Sequence, residues 1–373
     1  MTVRYFLPRR FDAIARFIPL SMIRVLFISA VKPRPSSAGS ALLHRHLADN
    51  PDIELHVLET EPNHGIVRKM ARKLLGRLGR TCLSKFCQDI LAIWHGGWID
   101  PELGVHDGKG LKTLVVTVAH GEACYAAQRY AKRQGLPLVT FFHDWWPDIA
   151  DVHTPFRSIV DRSFRKLYRD SSLALCVSQG MQEALGPHEN AQVLLPIPAY
   201  YKPHGDRRAY DSNSQLKLLY AGNLDEYGEM LMNALDVLKD HPDIRLEVRG
   251  NSSRWPKAIR EEMSERGLLL PFVPRDELTG WLESADAFLI TQSFDQEDER
   301  LMSTKIPSKL PELSQFFMPL ILWGPEYATG PQRARATGHG LVVDEADPTS
   351  LKHAMETLLD ESSKSQTLED AAR

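Results

Sequence analysis

The sequence predicts an α/β protein made of two facing doubly wound Rossmann-like domains. Three observations carry this. The chain has 373 residues, too many for one compact core. Short, continuously apolar runs alternate with helical stretches along most of it, the pattern of a parallel sheet covered on both faces. The alternation breaks at 196–214, where Pro196, Pro198, Pro203, Gly205 and a polar tail cluster, and then restarts. The expected division is an arm over 1–21, a first domain over 22–200 and a second over 201–373. The last helix of the second domain is expected to pack back on the first.

In order, the first half reads as strand 24–29, a loop over 30–39 rich in Pro, Ser and Gly, and a helix from about Ser40. Strands follow at 53–58, 114–117 and 138–142, the last two separated by an alanine-rich helix over 123–134. Strands 173–177 and 193–195 close this half. The second half reads as strand 216–220, helix 229–239, strand 245–248, helix 255–266, strand 269–273, helix 275–284 and strand 287–291. After a long connection come strand 320–323, helix 327–337, strand 341–343 and helix 348–359. Ligands of such sheets bind beyond the C-terminal ends of the strands, and two facing domains place one site in the cleft between them.

Composition narrows the function. A net charge of -3 gives no global attraction for nucleic acid, and 25% charged with 43% hydrophobic residues is ordinary globular usage. The cysteines Cys82, Cys87, Cys124 and Cys176 form no CxxC pair and no zinc spacing, so they read as reduced thiols in a cytoplasmic protein. No uncharged apolar run reaches the length of about 18 residues that suggests a transmembrane helix. Residues 1–21 are Arg-rich and broken by Pro8 and Pro19, without the apolar centre of a signal peptide. A true start at Met22 is the plain reading of this arm, and a basic segment lying on a membrane the sharper one.

The stretch Ser303-Thr304-Lys305-Ile306-Pro307-Ser308-Lys309-Leu310-Pro311-Glu312 holds the strongest chemistry. It follows an acidic loop (Asp295, Glu297, Asp298, Glu299) and is itself basic. Pro311 suits a helix start, where its missing N–H costs nothing. A helix N-terminus carrying Lys305, Lys309 and unpaired backbone N–H groups favours phosphate. Glu312 in the first turn suits ribose hydroxyls, or else merely caps the helix.

Other strand ends carry weaker candidates. Gly39 and Ser40, beside Ser36 and Ser37, could approach a substrate, although this loop is not GxGxxG and could be a plain connection. His143 and Asp144 follow strand 138–142, where His143 suits a sugar hydroxyl and Trp145 and Trp146 suit a sugar face. The alternative is a loop whose tryptophans fill the base of the domain. Asp148, Asp151 and His153 match no metal template. His120-Gly121-Glu122 ends strand 114–118; Gly121 permits a turn and Glu122 could contact an acceptor. Gly222 and Asn223 end strand 216–220, as a close backbone approach to phosphate or a simple glycine turn. Arg68, Lys69, Arg72, Lys73 and Arg77 lie in a stretch without acids, interleaved with Val67, Met70, Ala71, Leu74, Leu75 and Leu78 at helical spacing. This basic amphipathic helix suits an anionic membrane surface or a lipid-linked phosphate, or else packs on the core with a solvated basic face.

Four places together resemble the retaining GT-B glycosyltransferases, specifically the glycosyl transferase group 1 (family 4-like) enzymes. They are Phe141-Phe142-His143-Asp144-Trp145-Trp146-Pro147-Asp148, Ala174-Leu175-Cys176-Val177-Ser178-Gln179-Gly180-Met181 and Leu219-Tyr220-Ala221-Gly222-Asn223-Leu224. The fourth is Ile306-Pro307-Ser308-Lys309-Leu310-Pro311-Glu312 followed by 338–343. The resemblance covers about 22–359. It implies a nucleotide-sugar donor held by the second domain and a glycan or lipid-linked acceptor held by the first, with transfer by retention. No metal and no cofactor is implied. His143 then contacts the donor sugar, Lys309 the diphosphate with Ser308 and Leu310 beside it, and Glu312 the ribose. The implied setting is surface polysaccharide synthesis in the cytoplasm, peripheral at the inner membrane face.

Three positions depart from the family pattern. Thr304 stands where the first glutamate of E-x7-E belongs, Asn223 where an arginine is usual, and Tyr227 near the place of a lysine. Donor phosphates would then rely on Lys309, Lys305 and backbone N–H groups. Two rival readings stand beside transfer: a sugar-nucleotide epimerase, and a non-catalytic GT-B-like module that binds a glycan or a partner.

Overall fold

The computed structural model describes residues 22–35, 38–62, 73–74, 77, 86–87, 89–90, 99–101, 112–198, 215–273 and 275–362. The chain divides into two compact units, Met1–Ile197 and Pro198–Arg373.

In the first unit β1 (Ile23–Phe27), β2 (Ile53–Val57), β5 (Lys112–Val118), β6 (Leu138–Phe142), β7 (Leu173–Cys176) and β8 (Ala191–Val193) form one parallel sheet. Its order is β2-β1-β5-β6-β7-β8. The order places the topological switch between β1 and β5, where the chain leaves for opposite sides of the sheet. The five residues of β6 are all buried, as a central strand requires. Beside it the alanine-rich helix Ala123–Gln134 packs close because small side chains allow it, and it ends at Gly135, left-handed at φ 65°. Two short strands, β3 (Thr60–Pro62) and β4 (Ile99–Pro101), pair antiparallel outside the main sheet.

In the second unit β9 (Leu216–Asn223), β10 (Ile244–Asn251), β11 (Leu269–Leu270), β12 (Ala287–Thr291), β13 (Leu320–Trp323) and β14 (Leu341–Val343) form another all-parallel sheet. The order β11-β10-β9-β12-β13-β14 is the Rossmann order, with its switch between β9 and β12. The last helix, Pro348–Ser362, packs within this unit. Its Leu351, Met355 and Leu358 join Leu231 and Leu235 of helix Gly228–Leu238 in the core, and His241 meets Glu356. Its apolar face is thus used inside its own unit.

The connection from β12 to β13 also differs from expectation. The acidic stretch is helical: a 3-10 turn at Gln296–Asp298 runs into helix Glu299–Thr304. Acids in the first turn complement a helix N-terminus, so they support the helix rather than a loop. Helices Thr154–Asp170 and Gln179–Leu185 lack a counterpart in the sequence reading. The second is capped by the Ser178 hydroxyl, which accepts from Met181 N at 2.9 Å.

Candidate functional site

The second unit gathers its chemistry at the β9/β12 switch. Tyr220, in β9, is fully buried, and Gly222 two residues later lies on the same strand face. Lys309 begins helix Lys309–Ser314 and reaches back over both. Its Nζ donates to the Tyr220 hydroxyl at 2.7 Å and stands 4.0 Å from the centre of that ring. Gly222 has φ 154°, and a Cβ there would fall 2.1 Å from Lys309 Cε, so glycine leaves room for the lysine to lie where it does. Gly222 pairs with Gly250 of β10, whose own Cβ would lie 1.8 Å from the Gly222 carbonyl oxygen. The ends of β9 and β10 can approach this closely only because Gly250 lacks a side chain.

Charge at this switch is balanced unequally. Lys305 donates to Glu226 at 2.9 Å. Burial alone would raise the Glu226 carboxyl, but the charge and hydrogen bond of Lys305, with Lys309 behind, hold it below its ordinary value. Among the described residues Lys309 has no such carboxylate partner; its hydrogen bond goes to a neutral hydroxyl. Burial brings its pKa from 10.5 down to about 7, with Glu226 pulling upward and Lys305 adding to the fall. Burial first, then the Glu226 charge, keeps the Tyr227 phenol protonated.

The loop that presents Lys305 and Lys309 is held from below. Gln292 follows β12 and is buried; its side chain donates to the Met302 carbonyl at 3.4 Å and accepts from Gly330 N at 2.8 Å. The Thr329 hydroxyl donates to the Lys305 carbonyl. Thr304 is 1% exposed and its hydroxyl donates to the Arg300 carbonyl at 2.7 Å, so its side chain closes its own helix.

The remaining predicted residues of this unit fall around the same loop. Ser308 is the residue before helix Lys309–Ser314 and its side chain does not cap it. Leu310 packs its side chain among Leu219, Phe288 and Leu313, and its N–H donates to the Pro307 carbonyl at 3.0 Å. The expected unpaired N–H at this position is therefore already engaged, because the chain turns tightly at Pro307. Glu312 lies half-buried in the helix. Asn223 is exposed, and its side-chain oxygen accepts from Asp225 N at 3.2 Å.

In the first unit the candidates gather beyond β5 and β6. His143 and Asp144 follow β6, and His120 follows β5 with its ring 4.3 Å from that of Trp146. Burial lowers the pKa of both His143 and His120, against the upward pull of Asp144, so both imidazoles are neutral near pH 7. Burial raises the Glu122 carboxyl. His46, from helix Ala38–Leu47, joins them: its ring lies 6.3 Å from Phe141, which meets His143 edge-on at 5.7 Å. Burial, then the His143 and Arg45 charges, brings His46 down to about 4.

Trp145 corrects the sugar-face expectation. It is 0% exposed, donates to Asp161 at 3.0 Å, and lies under the Arg165 guanidinium at 4.8 Å. It fills the base of the unit because its polar edge finds an internal acceptor. Ser40 is buried and its hydroxyl donates to the Lys32 carbonyl; Gly39 lies in the same helix. His153 Nδ1 and its backbone N both meet the buried carboxylate of Asp89. Among the described residues no three His, Cys, Asp or Glu side chains are placed to share a metal ion. Of the basic helix, Lys73, Leu74 and Arg77 are helical and exposed, while Arg68, Lys69 and Arg72 lie outside the described residues.

Sequence reading missed Tyr220, Glu226, Gln292 and His46. Only Tyr220 left a sequence signal, a strand tyrosine two residues before a glycine.

No described protein family matches the chain, and no curated protein matches it in sequence. Solved structures do match. HepE of Anabaena, in complex with UDP and glucose, is 14% identical, covers 94% of this chain with 93% of its own length, and superposes with a TM-score of 0.56. The same protein in complex with UDP-glucose gives 13% identity, 94% and 93% coverage, and a TM-score of 0.52. At such identity the likeness speaks for the fold alone. Both sheets, their all-parallel pairing and the match along both units make this a GT-B fold, two Rossmann-like domains in one chain.

Proposed function

We propose that the protein is a glycosyltransferase that moves a sugar from a nucleotide-diphosphate donor to a glycan or lipid-linked acceptor. One observation carries the reading: the Lys309 ammonium, hydrogen-bonded to a neutral hydroxyl, stands over glycine at the Rossmann switch point of the second unit. That is where such sheets bind nucleotides, and a lysine there meets the charge that grows on a departing diphosphate. An arriving diphosphate also favours the protonated amine, so ligand and proton bind together. HepE, with the same fold, was solved with UDP and with UDP-glucose, which supports a nucleotide-sugar donor. Neutral His143 suits a sugar hydroxyl, with Asp144 beside it, and Glu312 suits the ribose. Retention, surface-polysaccharide synthesis, a cytoplasmic location at the inner membrane face and independence of metal belong to the same proposal.

A second reading, a non-catalytic nucleotide- or glycan-binding module, is favoured by Thr304, whose buried hydroxyl cannot replace a carboxylate. Two experiments separate them. Thermal unfolding is measured with UDP, GDP, ADP, CDP and dTDP, with and without EDTA, on wild type and Lys309→Ala. A nucleotide at a hundredfold excess over its dissociation constant stabilises by about 2.7 kcal/mol. The proposal expects one nucleotide to shift the wild type, with EDTA or without, and not the mutant. No shift with any of them removes the donor site. Turnover of the matching nucleotide sugar then decides between enzyme and module.

A further inference from the structure

We propose that Tyr220 is the positioning residue of this site, whose hydroxyl and ring face hold the Lys309 ammonium at one place, on the Cα of Gly222, to meet a diphosphate. The inference rests on the reading of Lys309 as the phosphate ligand.

A lysine side chain has four rotatable bonds and carries about 2 kcal/mol of rotamer entropy, so an unheld lysine is a poor point charge for catalysis. Three independent features restrain this one. The hydroxyl of Tyr220 accepts from Nζ at 2.7 Å. The face of the same ring lies 4.0 Å from Nζ, within cation–π range. Gly222 supplies the cavity, since an alanine methyl would overlap Lys309 Cε at 2.1 Å. Tyrosine and glycine two apart on one strand share a face, so a single side chain arriving from the Lys309 helix touches both.

The kind of partner matters as much as the position. A carboxylate would hold the ammonium equally well but neutralise it, as Glu226 does for Lys305. A phenol hydroxyl fixes it and leaves its charge for an incoming anion. The buried phenol stays a phenol, because burial pushes the Tyr220 pKa above its ordinary value. Its own proton points towards the Asn223 carbonyl at 3.4 Å, which leaves its lone pair facing Lys309. A phenylalanine would fill the same space in the core with Leu218 and Leu224, so packing alone does not require the hydroxyl.

The test compares wild type, Tyr220→Phe, Gly222→Ala, Lys309→Ala and the double variant Tyr220→Phe/Lys309→Ala, each as the full chain. Binding of inorganic pyrophosphate and of UDP is measured by calorimetry between pH 6 and 9. Independently, trace acetylation with acetic anhydride, read by mass spectrometry, gives the pH midpoint of the Lys309 amine. Tyr220→Phe is expected to bind pyrophosphate roughly tenfold more weakly, the scale of one hydrogen bond to a charged group. Its acetylation midpoint falls, because the ammonium loses an acceptor that favoured it. Gly222→Ala also weakens pyrophosphate binding, but its acetylation midpoint rises, because the methyl displaces the amine from its buried place. In the Lys309→Ala background the Tyr220→Phe change adds nothing, since tyrosine acts through the lysine. An unchanged acetylation midpoint in Tyr220→Phe overturns the proposal, as does a full tyrosine effect in the absence of Lys309. If wild type binds neither pyrophosphate nor UDP, the phosphate reading fails, and the acetylation midpoint still decides whether Tyr220 positions the amine.

Discussion

Replacing Lys309 with methionine should make the second unit more stable while removing the ammonium proposed to meet a diphosphate. Methionine keeps the length and apolar stem of the side chain but not the buried charge. The lysine is held at a pKa of about 7 against an ordinary 10.5. At about 1.4 kcal/mol per unit, the folded state disfavours the ammonium by about 5 kcal/mol. The substitution also has costs, the lost contact with the Tyr220 ring and the lost hydrogen bond to its oxygen, together about 3 kcal/mol. A net gain of about 2 kcal/mol is expected at pH 6.

The sign of the pH dependence follows from the direction of the shift. Below pH 7 both folded and unfolded chains carry the charge, and the folded one bears the full cost. Between 7 and 10.5 the unfolded lysine holds a proton that the folded one has released, so wild-type stability rises with pH. The gap between variant and wild type therefore closes by about 1.4 kcal/mol per unit above pH 7 and reverses near about pH 8–9. Hydrogen exchange of the 216–223 peptide, read by mass spectrometry, follows this unit alone. A variant less stable than wild type at pH 6, or a gap that ignores pH, would refute the desolvation argument.

Four further outcomes are expected. Trp145→Ala should destabilise the first unit by about 3–5 kcal/mol, since it empties a core site and removes the indole donor to Asp161; a loss in thermal unfolding below about 1 kcal/mol contradicts the core assignment. His46, at about 4 against an ordinary 6.5, should make the first unit lose up to about 3 kcal/mol as pH falls through that window. His46→Gln should flatten that slope, and an equally steep one would clear His46. His143→Ala should cut sugar turnover at least about tenfold while nucleotide affinity changes little, and wild-type turnover removes its sugar contact. The protein should sediment with anionic vesicles at low salt and less so as Lys73→Glu/Arg77→Glu; failure to sediment at any salt rejects the membrane surface.

Strands β6, β12, β13 and β14 are legible residue for residue in the sequence, because each is a short apolar run bounded by breakers. Helix Ala123–Gln134 is legible for the same local reason. Helix Glu299–Thr304 is not: its acids read as a loop, whereas at a helix start they are an advantage. The pairing of β3 with β4 joins segments far apart in the chain and has no local signal. Lys309 and Gly222 were visible as candidates from residue type and strand-end position. Their shared cavity was not, since nothing local says that residue 309 returns to residue 222.

By itself the sequence determined two α/β units and the candidate residues at their strand ends, because hydrophobic period and turn chemistry are properties of neighbouring residues. Only the tertiary structure decided which strand ends meet. Sheet order brings β9 beside β12, which sets Lys309 on Tyr220, 89 positions away in sequence, and on Gly222. It also sends Trp145 into the core and His46 to His143. Such contacts depend on the order in which distant strands pair, and that order is settled by the packing of the whole domain.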